Sequence, residues 1–178
     1  MGRKVALLRG VNVGGRSLPM AALRALCGKL GWADVATYIQ SGNVLFDAPG
    51  EAAALEAALE RAIRNEFGFD VPVLVRSAAQ LDAYLDGNPF REAARDTPHR
   101  LLLLVPKAPP AADAATTLAA RGEAGERVAR AADALWVHFP NGIAGSKLSP
   151  LLIDKLVASP ATSRNWRTIA KLLEMSEA

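Results

Sequence analysis

The residues whose types are best suited to binding a ligand lie near the amino terminus, between Arg9 and Ser17. Gly14 and Gly15 can adopt positive φ and let a ligand approach the backbone. Ser17 is a good helix N-cap, and free backbone N–H groups at a helix start attract anions, as does the guanidinium of Arg16. The stretch therefore predicts a binding site for a small ligand that carries phosphate or carboxylate.

Two other interpretations of the same stretch compete with this one. Residues 10–17 nearly match the phosphate-binding loop GxxxxGK[ST], with Arg16 in place of the lysine. We reject that match because arginine does not replace the compact, flexible lysine charge. The simpler alternative is an ordinary turn between a strand and a helix, with solvated arginines, and it stays open.

Polar side chains at other predicted turns and helix starts extend the candidate site. The predicted ligand-binding residues are Arg9, Asn12, Arg16, Gln40, Ser41, Asn43, Lys147, Arg164, Asn165 and Arg167. Turn chemistry and helix capping would also account for Asn and Ser at such positions. A structural role is therefore the alternative for each of them.

Charge is distributed unevenly along the chain, although the formal net charge is only +3. Residues 1–30 contain six Lys or Arg and no acid, whereas residues 31–140 contain ten Lys or Arg and fifteen acids. Residues 141–178 are again basic. Like charges gathered in one place repel, so a fold that gathers them usually does so to bind an anion. Clefts between domains are also common ligand sites. We therefore hypothesise that the glycine turn faces Arg164–Arg167 across two halves of the molecule.

Composition limits the class of protein. The chain has 178 residues, of which 51% are hydrophobic, so it can bury a real core. No apolar run approaches the roughly 18 residues that a membrane helix needs, so we expect no membrane association. The single cysteine, Cys27, cannot form an internal disulfide, which fits the reducing cytoplasm, and its apolar helical setting predicts a packed thiol.

No set of residues indicates a reaction. His99 and His138 have no companion at metal-ligand spacing, and the chain has no GxSxG motif. Glu56 and Glu60 lie one turn apart on a predicted helix and are interpreted as a solvated acidic face. We therefore assign no catalytic residue, no metal and no cofactor.

The hydrophobic periodicity predicts alternating strands and helices. Ser41-Gly42 connects two predicted strands too closely for a parallel pair, so they form an antiparallel hairpin. The first half is predicted as strand 5–8, helix 18–30, strands 35–40 and 43–46, helix 51–67 and strand 71–76. The second half is predicted as helix 78–85, strand 100–105, helix 111–120, strands 126–130 and 135–139, a helix within 145–157 and a last helix 164–175. This order predicts an α+β protein with two tandem ferredoxin-like subdomains, 1–77 and 78–178, and an extra C-terminal helix.

Five segments together resemble a known family. They are Leu7–Gly15, Thr37–Val44, Phe67–Pro72, Asn88–Phe90 and Arg164–Thr168. The chain resembles the domain-of-unknown-function 1697 family of bacterial proteins over nearly its whole length. The resemblance implies two tandem ferredoxin-like subdomains and supplies no catalytic residue, because the biochemical role of the family is not established.

A nucleic-acid partner is the alternative to a small anionic ligand, because ferredoxin-like sheets often stack bases on exposed aromatic side chains. The chain has five Phe, three Trp and two Tyr, no RNP1-like string, and only Tyr38 as an evident stacking residue. RNA binding is therefore not favoured. A protein-interaction module without a ligand is the third alternative.

Overall fold

The computed structural model describes residues 2–178. Within them the chain forms eight strands and seven α-helices, with two four-stranded sheets in which all neighbouring strands are antiparallel. The chain divides into two compact units, one formed by the sequence up to Gln80 together with Leu172–Ala178, the other by Leu81–Lys171. The predicted α+β class is confirmed.

The first sheet has the strand order β2-β3-β1-β4. The elements are β1 (Lys4–Leu8), α1 (Met20–Lys29), β2 (Ala33–Tyr38), β3 (Asn43–Asp47), α2 (Ala52–Phe67) and β4 (Val73–Ser77). Tyr38 pairs with Asn43, so β2 and β3 form the predicted hairpin around Ser41-Gly42. The short connection fixes this pairing, since a parallel partner needs a long crossover.

One face of this sheet packs against α1 and α2. The buried stripe of α2 contains Leu55, Leu59 and Ile63, as its four-residue spacing predicts. Trp32 stacks on Phe46 with ring centroids 3.9 Å apart. Each such large side chain contributes about 1.5–3 kcal/mol when it is removed from water. The helix ends where Gly68 adopts a left-handed conformation, with φ of 79°.

Glu56 and Glu60 on α2 are predicted from the sequence to be solvated, and that prediction is wrong. The backbone N–H of Val75 donates to Glu56 Oε1 at 2.8 Å, and the N–H of Val73 donates to Glu60 Oε1 at 2.9 Å. Glu56 is buried and also lies 3.7 Å from the guanidinium of Arg76. Because β4 is an edge strand, its N–H groups on one side need acceptors that no further strand supplies.

The predicted N-cap of α1 is also wrong. Pro19 occupies the N-cap position, and no side chain caps the helix there. Ser17 is exposed two residues earlier. The polar contact just before the helix comes from Asn12 instead, whose Oδ1 accepts from the backbone N–H of Leu18 at 2.8 Å.

The second sheet has the order β6-β7-β5-β8. The elements from residue 78 onward are α3 (Ala78–Asp86), α4 (Arg91–Asp96), a 3-10 turn (Pro98–Arg100), β5 (Leu101–Pro106), α5 (Ala114–Arg121), β6 (Arg127–Ala131), β7 (Ala134–His138), α6 (Pro150–Val157), β8 (Ala161–Asn165) and α7 (Trp166–Glu177). Leu101, Leu103 and Leu104 are buried in β5, one of the two central strands of this sheet.

The sequence interpretation of the second half needs three corrections. Strand β8 was missed, and the last helix begins at Trp166 rather than at residue 164. Residues 161–165 lack apolar alternation, and their extended conformation comes from pairing with β5, from Leu102↔Asn165 to Pro106↔Ala161. The third concerns α4, which lies between the predicted helix 78–85 and strand 100–105, where the sequence predicts a loop and no helix.

The core of the second unit lies between its sheet and the helices α5 and α6. Leu135, Val137 and Phe139 face Leu118 and Ile153 there. In the same unit Trp136 is fully buried, and its Nε1 donates to the carbonyl of Tyr84 at 2.7 Å. None of the helices in the described residues has the length and apolar character of a membrane span.

Candidate functional site

The glycine turn, residues 9–18, is a closed loop that follows β1. The N–H of Asn12 donates to the carbonyl of Arg16 at 2.7 Å, and the N–H of Arg16 donates to the carbonyl of Val13 at 3.2 Å. Gly14 and Gly15 have φ of 58° and 82°. A Cβ at either position would meet nothing within 4 Å, so these glycines are favoured by backbone conformation and not by lack of space.

Asn12 connects this loop to the β2–β3 hairpin. Its Nδ2 donates to the carbonyl of Gln40 at 2.7 Å and to the carbonyl of Leu18 at 3.0 Å. The N–H of Leu8 donates to the carbonyl of Gly42 at 2.8 Å. The structure thus brings the glycine turn and the hairpin turn together at one end of the first sheet.

A pocket of about 220 Å³ lies in the glycine turn, lined by residues 12–17. Within residues 2–178, the backbone N–H groups of Val13, Gly14 and Gly15 have no hydrogen-bond acceptor. The side chain of Arg16 has no carboxylate at salt-bridge distance in that same range. Its Nη1 lies beside Gly10, 3.7 Å from where a Cβ would stand. The pocket therefore offers hydrogen-bond donors and one positive charge, which is the chemistry of an anion site.

The other residues predicted near this turn differ in their burial and in their hydrogen bonds. Asn43 is fully buried, and its Nδ2 donates to the carbonyl of Tyr38 at 2.9 Å and to Ser41 Oγ at 3.0 Å, so both side chains build the hairpin turn. Gln40 is exposed and meets Asn12 through its backbone. Arg9 is half-buried, and its N–H donates to the carbonyl of Pro72 at 3.0 Å.

The C-terminal candidates lie in the second unit. Arg164 belongs to β8, is 7% exposed, and donates through Nη1 to Thr162 Oγ1 and to the carbonyl of Ser163, both at 2.8 Å. Burial lowers the pKa of Arg164 to about 10. Asn165 Oδ1 accepts from the N–H of Thr168 at 2.9 Å and caps α7. Lys147 and Arg167 are exposed. That this segment and the glycine turn share one ligand stays a prediction.

Comparison with known proteins places the chain in a family. The family model described as "Protein of unknown function (DUF1697)" matches residues 1–136. The chain belongs to the DUF1697 family. Among curated proteins nothing matches it. Its fold is similar to that of a solved structure, the conserved bacterial protein SP0830 from Streptococcus pneumoniae, with a TM-score of 0.77, 24% sequence identity, and coverage of 100% of this chain and 99% of that one.

Sequence reasoning missed a cluster on the second sheet of this DUF1697 protein. Arg127 on β6 and His138 on β7 are paired across the hairpin, with Nη2 of Arg127 donating to Nδ1 of His138 at 3.0 Å. Arg127 also lies over the ring of Phe90, 4.8 Å from its centroid. From the sequence, His138 is interpreted as a structural or surface residue, because it has no companion at metal-ligand spacing. The signal that could have found the pair is the short connection between the predicted strands 126–130 and 135–139, because an antiparallel pairing of the two sets these residues opposite each other.

A second pocket of the first DUF1697 unit, of about 510 Å³, also lies outside the predicted site. Its lining residues include Arg3, Asp34, Asp47 and Glu177. Arg3 donates through Nη2 to the carbonyl of Asp34 and through Nη1 to the carbonyl of Met175, both at 2.9 Å. Arg3 Nε and Asp47 Oδ1 are buried there without a hydrogen-bond partner in the described part of the chain. The pocket thus carries both an acidic and a basic group and does not favour one sign of ligand charge.

Proposed function

We propose that this protein binds a small anion carrying phosphate or carboxylate at the glycine turn. The observation that supports this most directly is the pocket of about 220 Å³ in which the N–H groups of Val13, Gly14 and Gly15 have no acceptor among residues 2–178. Arg16 supplies the positive charge at the same pocket. Backbone N–H groups and a guanidinium are the donors that bind oxyanions in proteins.

The loop is held in shape before a ligand arrives. The hydrogen bonds of Asn12 to Leu18 and Gln40 fix both ends of the turn, so the ordering cost on binding is small. The pocket is lined by exposed residues and remains in contact with water, which screens the charge of Arg16. Hydrogen bonds to a charged group contribute about 1.5–3 kcal/mol each, so two or three of them support a weak to moderate affinity.

We also propose that each half of the chain is a ferredoxin-like subdomain, with domains 1–77 and 78–178. The support is that both sheets have the same strand order, β2-β3-β1-β4 and β6-β7-β5-β8, and each follows the element order βαββαβ. That order, with antiparallel pairing throughout, is the split βαβ arrangement.

The test of the anion proposal is a thermal-shift screen with phosphate- and carboxylate-bearing metabolites, followed by calorimetric titration of any compound that stabilises the protein. Arg16→Ala should weaken binding about tenfold, which corresponds to about 1.4 kcal/mol. Arg61→Ala is the matched control, because Arg61 is an exposed arginine on α2 and its loss changes the net charge equally.

Equal effects of the two variants would mean that only overall charge matters, and the glycine turn would then not be the site. Binding of single-stranded RNA with a steep dependence on salt, without saturable binding of any small anion, would also contradict the proposal and would indicate the nucleic-acid alternative.

A further inference from the structure

A second group of basic side chains lies at one end of β7, in the unit Leu81–Lys171. Arg127 is paired with His138 across the β6–β7 hairpin and donates to its Nδ1 at 3.0 Å. Phe90 supports this pair from the α3–α4 connection, with Arg127 4.8 Å from its ring centroid and the His138 ring 6.3 Å away. The guanidinium of Arg127 is thus held in place by an aromatic face and an imidazole.

Arg100 completes the group. It immediately precedes Leu101, which pairs with His138 in the sheet, and its Nη1 donates to the carbonyl of Pro140 at 2.7 Å. The backbone carbonyl of Arg100 also accepts from the N–H of Phe139 at 2.9 Å. Both arginines therefore lie at the same end of β7 as His138.

Among residues 2–178, no carboxylate is paired with either of these arginines. Within the described chain, neither Arg100 nor Arg127 has an acidic side chain at salt-bridge distance, whereas Arg64 is paired with Asp70 and Arg95 with Asp96. The positive charges of Arg127 and Arg100 both act on the His138 imidazole and lack an acidic partner among residues 2–178. An anion bound beside them would offset their mutual repulsion.

The hydrogen bond to Arg127 also fixes the proton on His138. A guanidinium has only donors, so Nδ1 of His138 must accept and the proton of the neutral ring is on Nε2. Burial, with the charges of Arg127 and Arg100 adding to it, lowers the pKa of His138. At neutral pH the ring is therefore uncharged and keeps an N–H donor at Nε2.

We propose that Arg100, Arg127 and His138 form an oxyanion-binding site in the second unit, suited to phosphate or a phosphomonoester. All three side chains present hydrogen-bond donors and none presents a carboxylate, and Phe90 holds the central guanidinium in place. This site goes beyond the proposed function, because it shares no residue with the glycine turn and lies in the other unit.

The experiment is an NMR titration of the full-length His99→Asn protein, in which His138 is the only remaining histidine. Inorganic phosphate is added, and sodium chloride at matched ionic strength serves as the control. Phosphate should shift the imidazole signals saturably and raise the pKa of His138 by about half a unit or more, since a bound anion stabilises the imidazolium. Sodium chloride should produce a smaller change without saturation.

Arg127→Ala should abolish the response to phosphate, while Arg121→Ala, an exposed arginine in the same unit with the same change of charge, should leave it intact. Arg127→Lys serves if the alanine variant does not fold, and it should weaken the response at least severalfold because lysine cannot bind bidentately. Equal responses to phosphate and chloride, or equal behaviour of the Arg127 and Arg121 variants, would overturn the proposal.

Discussion

The side-chain Nδ2 of Asn12 donates a hydrogen bond to the backbone carbonyl of Gln40 at 2.7 Å, across 28 residues of sequence. Asn12 itself has φ of 57°, a left-handed conformation that asparagine tolerates better than most residues. The side chain of Asn12 thus holds the glycine turn against the hairpin. Asparagine also tolerates the left-handed backbone conformation that the turn requires at this position.

Replacing Asn12 with alanine should destabilise the protein by about 1–3 kcal/mol, because the carbonyl and N–H partners lose their bonds and alanine is less tolerant of positive φ. It should also weaken anion binding at the glycine turn. Asn12→Asp keeps the acceptor for the N–H of Leu18 and should retain part of the stability. Chemical denaturation of both variants measures this, and equal stability of N12A and the original chain would contradict it.

Gly42 combines a left-handed conformation with close packing. A Cβ there would lie 2.7 Å from Val11 Cγ2 and 2.8 Å from Leu8 Cβ, with φ of 84°. Gly42→Ala should therefore cost about 1–3 kcal/mol from overpacking in addition to the backbone strain. Gly31→Ala is the matched control, because Gly31 has φ of 79° and open space around its Cα. Comparing the unfolding free energies separates the steric cost from the conformational cost, and equal losses would rule out the steric one.

The carboxylate of Glu126 should make the unfolding free energy of the second unit depend on pH. A hydrogen bond from Ser146 Oγ, opposed in part by burial and aided by backbone N–H donors, lowers the pKa of Glu126. Because the folded pKa is depressed, the stabilisation is present above the ordinary pKa of glutamate and is lost as the pH falls through the folded value.

Ser146→Ala should therefore lower the unfolding free energy by about 1.5–3 kcal/mol at pH 7, the usual contribution of a hydrogen bond to a charged group. The difference from the original chain should shrink as the pH is lowered. Ser146→Thr, which keeps the hydroxyl, should behave nearly like the original chain. Urea titrations at several pH values test this, and a pH-independent difference would mean that Glu126 does not titrate as described.

Cys27 should be unreactive in the folded protein. Its side chain is fully buried, and this burial raises the pKa of its thiol to about 12. The thiolate that reacts with disulfide reagents is therefore almost absent at pH 8. Labelling with a chromogenic disulfide should proceed only through unfolding and should accelerate with added urea. Rapid labelling without denaturant would show that the thiol is accessible.

The parts of the fold that follow from local sequence could be predicted. The short Ser41-Gly42 connection forces an antiparallel hairpin, and the spacing of Leu55, Leu59 and Ile63 indicates the buried face of α2. Strand β8 could not be predicted, because its residues become a strand through pairing with β5 and not through their own apolar pattern.

The candidate site, like the fold, could be predicted only where it depends on local sequence. The glycine turn could be identified from its residue types, but the contact of Asn12 with Gln40 depends on how β1 pairs with β3, which brings Leu7 opposite Asn43. The roles of Glu56 and Glu60 depend likewise on a strand that follows them by more than ten residues. Such contacts are set by the topology of the sheet, so they cannot be predicted from helical periodicity.

Glu56 and Glu60 on α2 also affect whether two copies of this protein can pair through their sheets. An exposed edge strand is a template on which a second chain can add its own strand, the first step toward domain swapping or fibril growth. At β4, the N–H groups of Val73 and Val75 are already bonded to the carboxylates of Glu60 and Glu56. An incoming strand would have to displace these acceptors, so the helix that stabilises the core of the first unit also protects this edge against self-assembly.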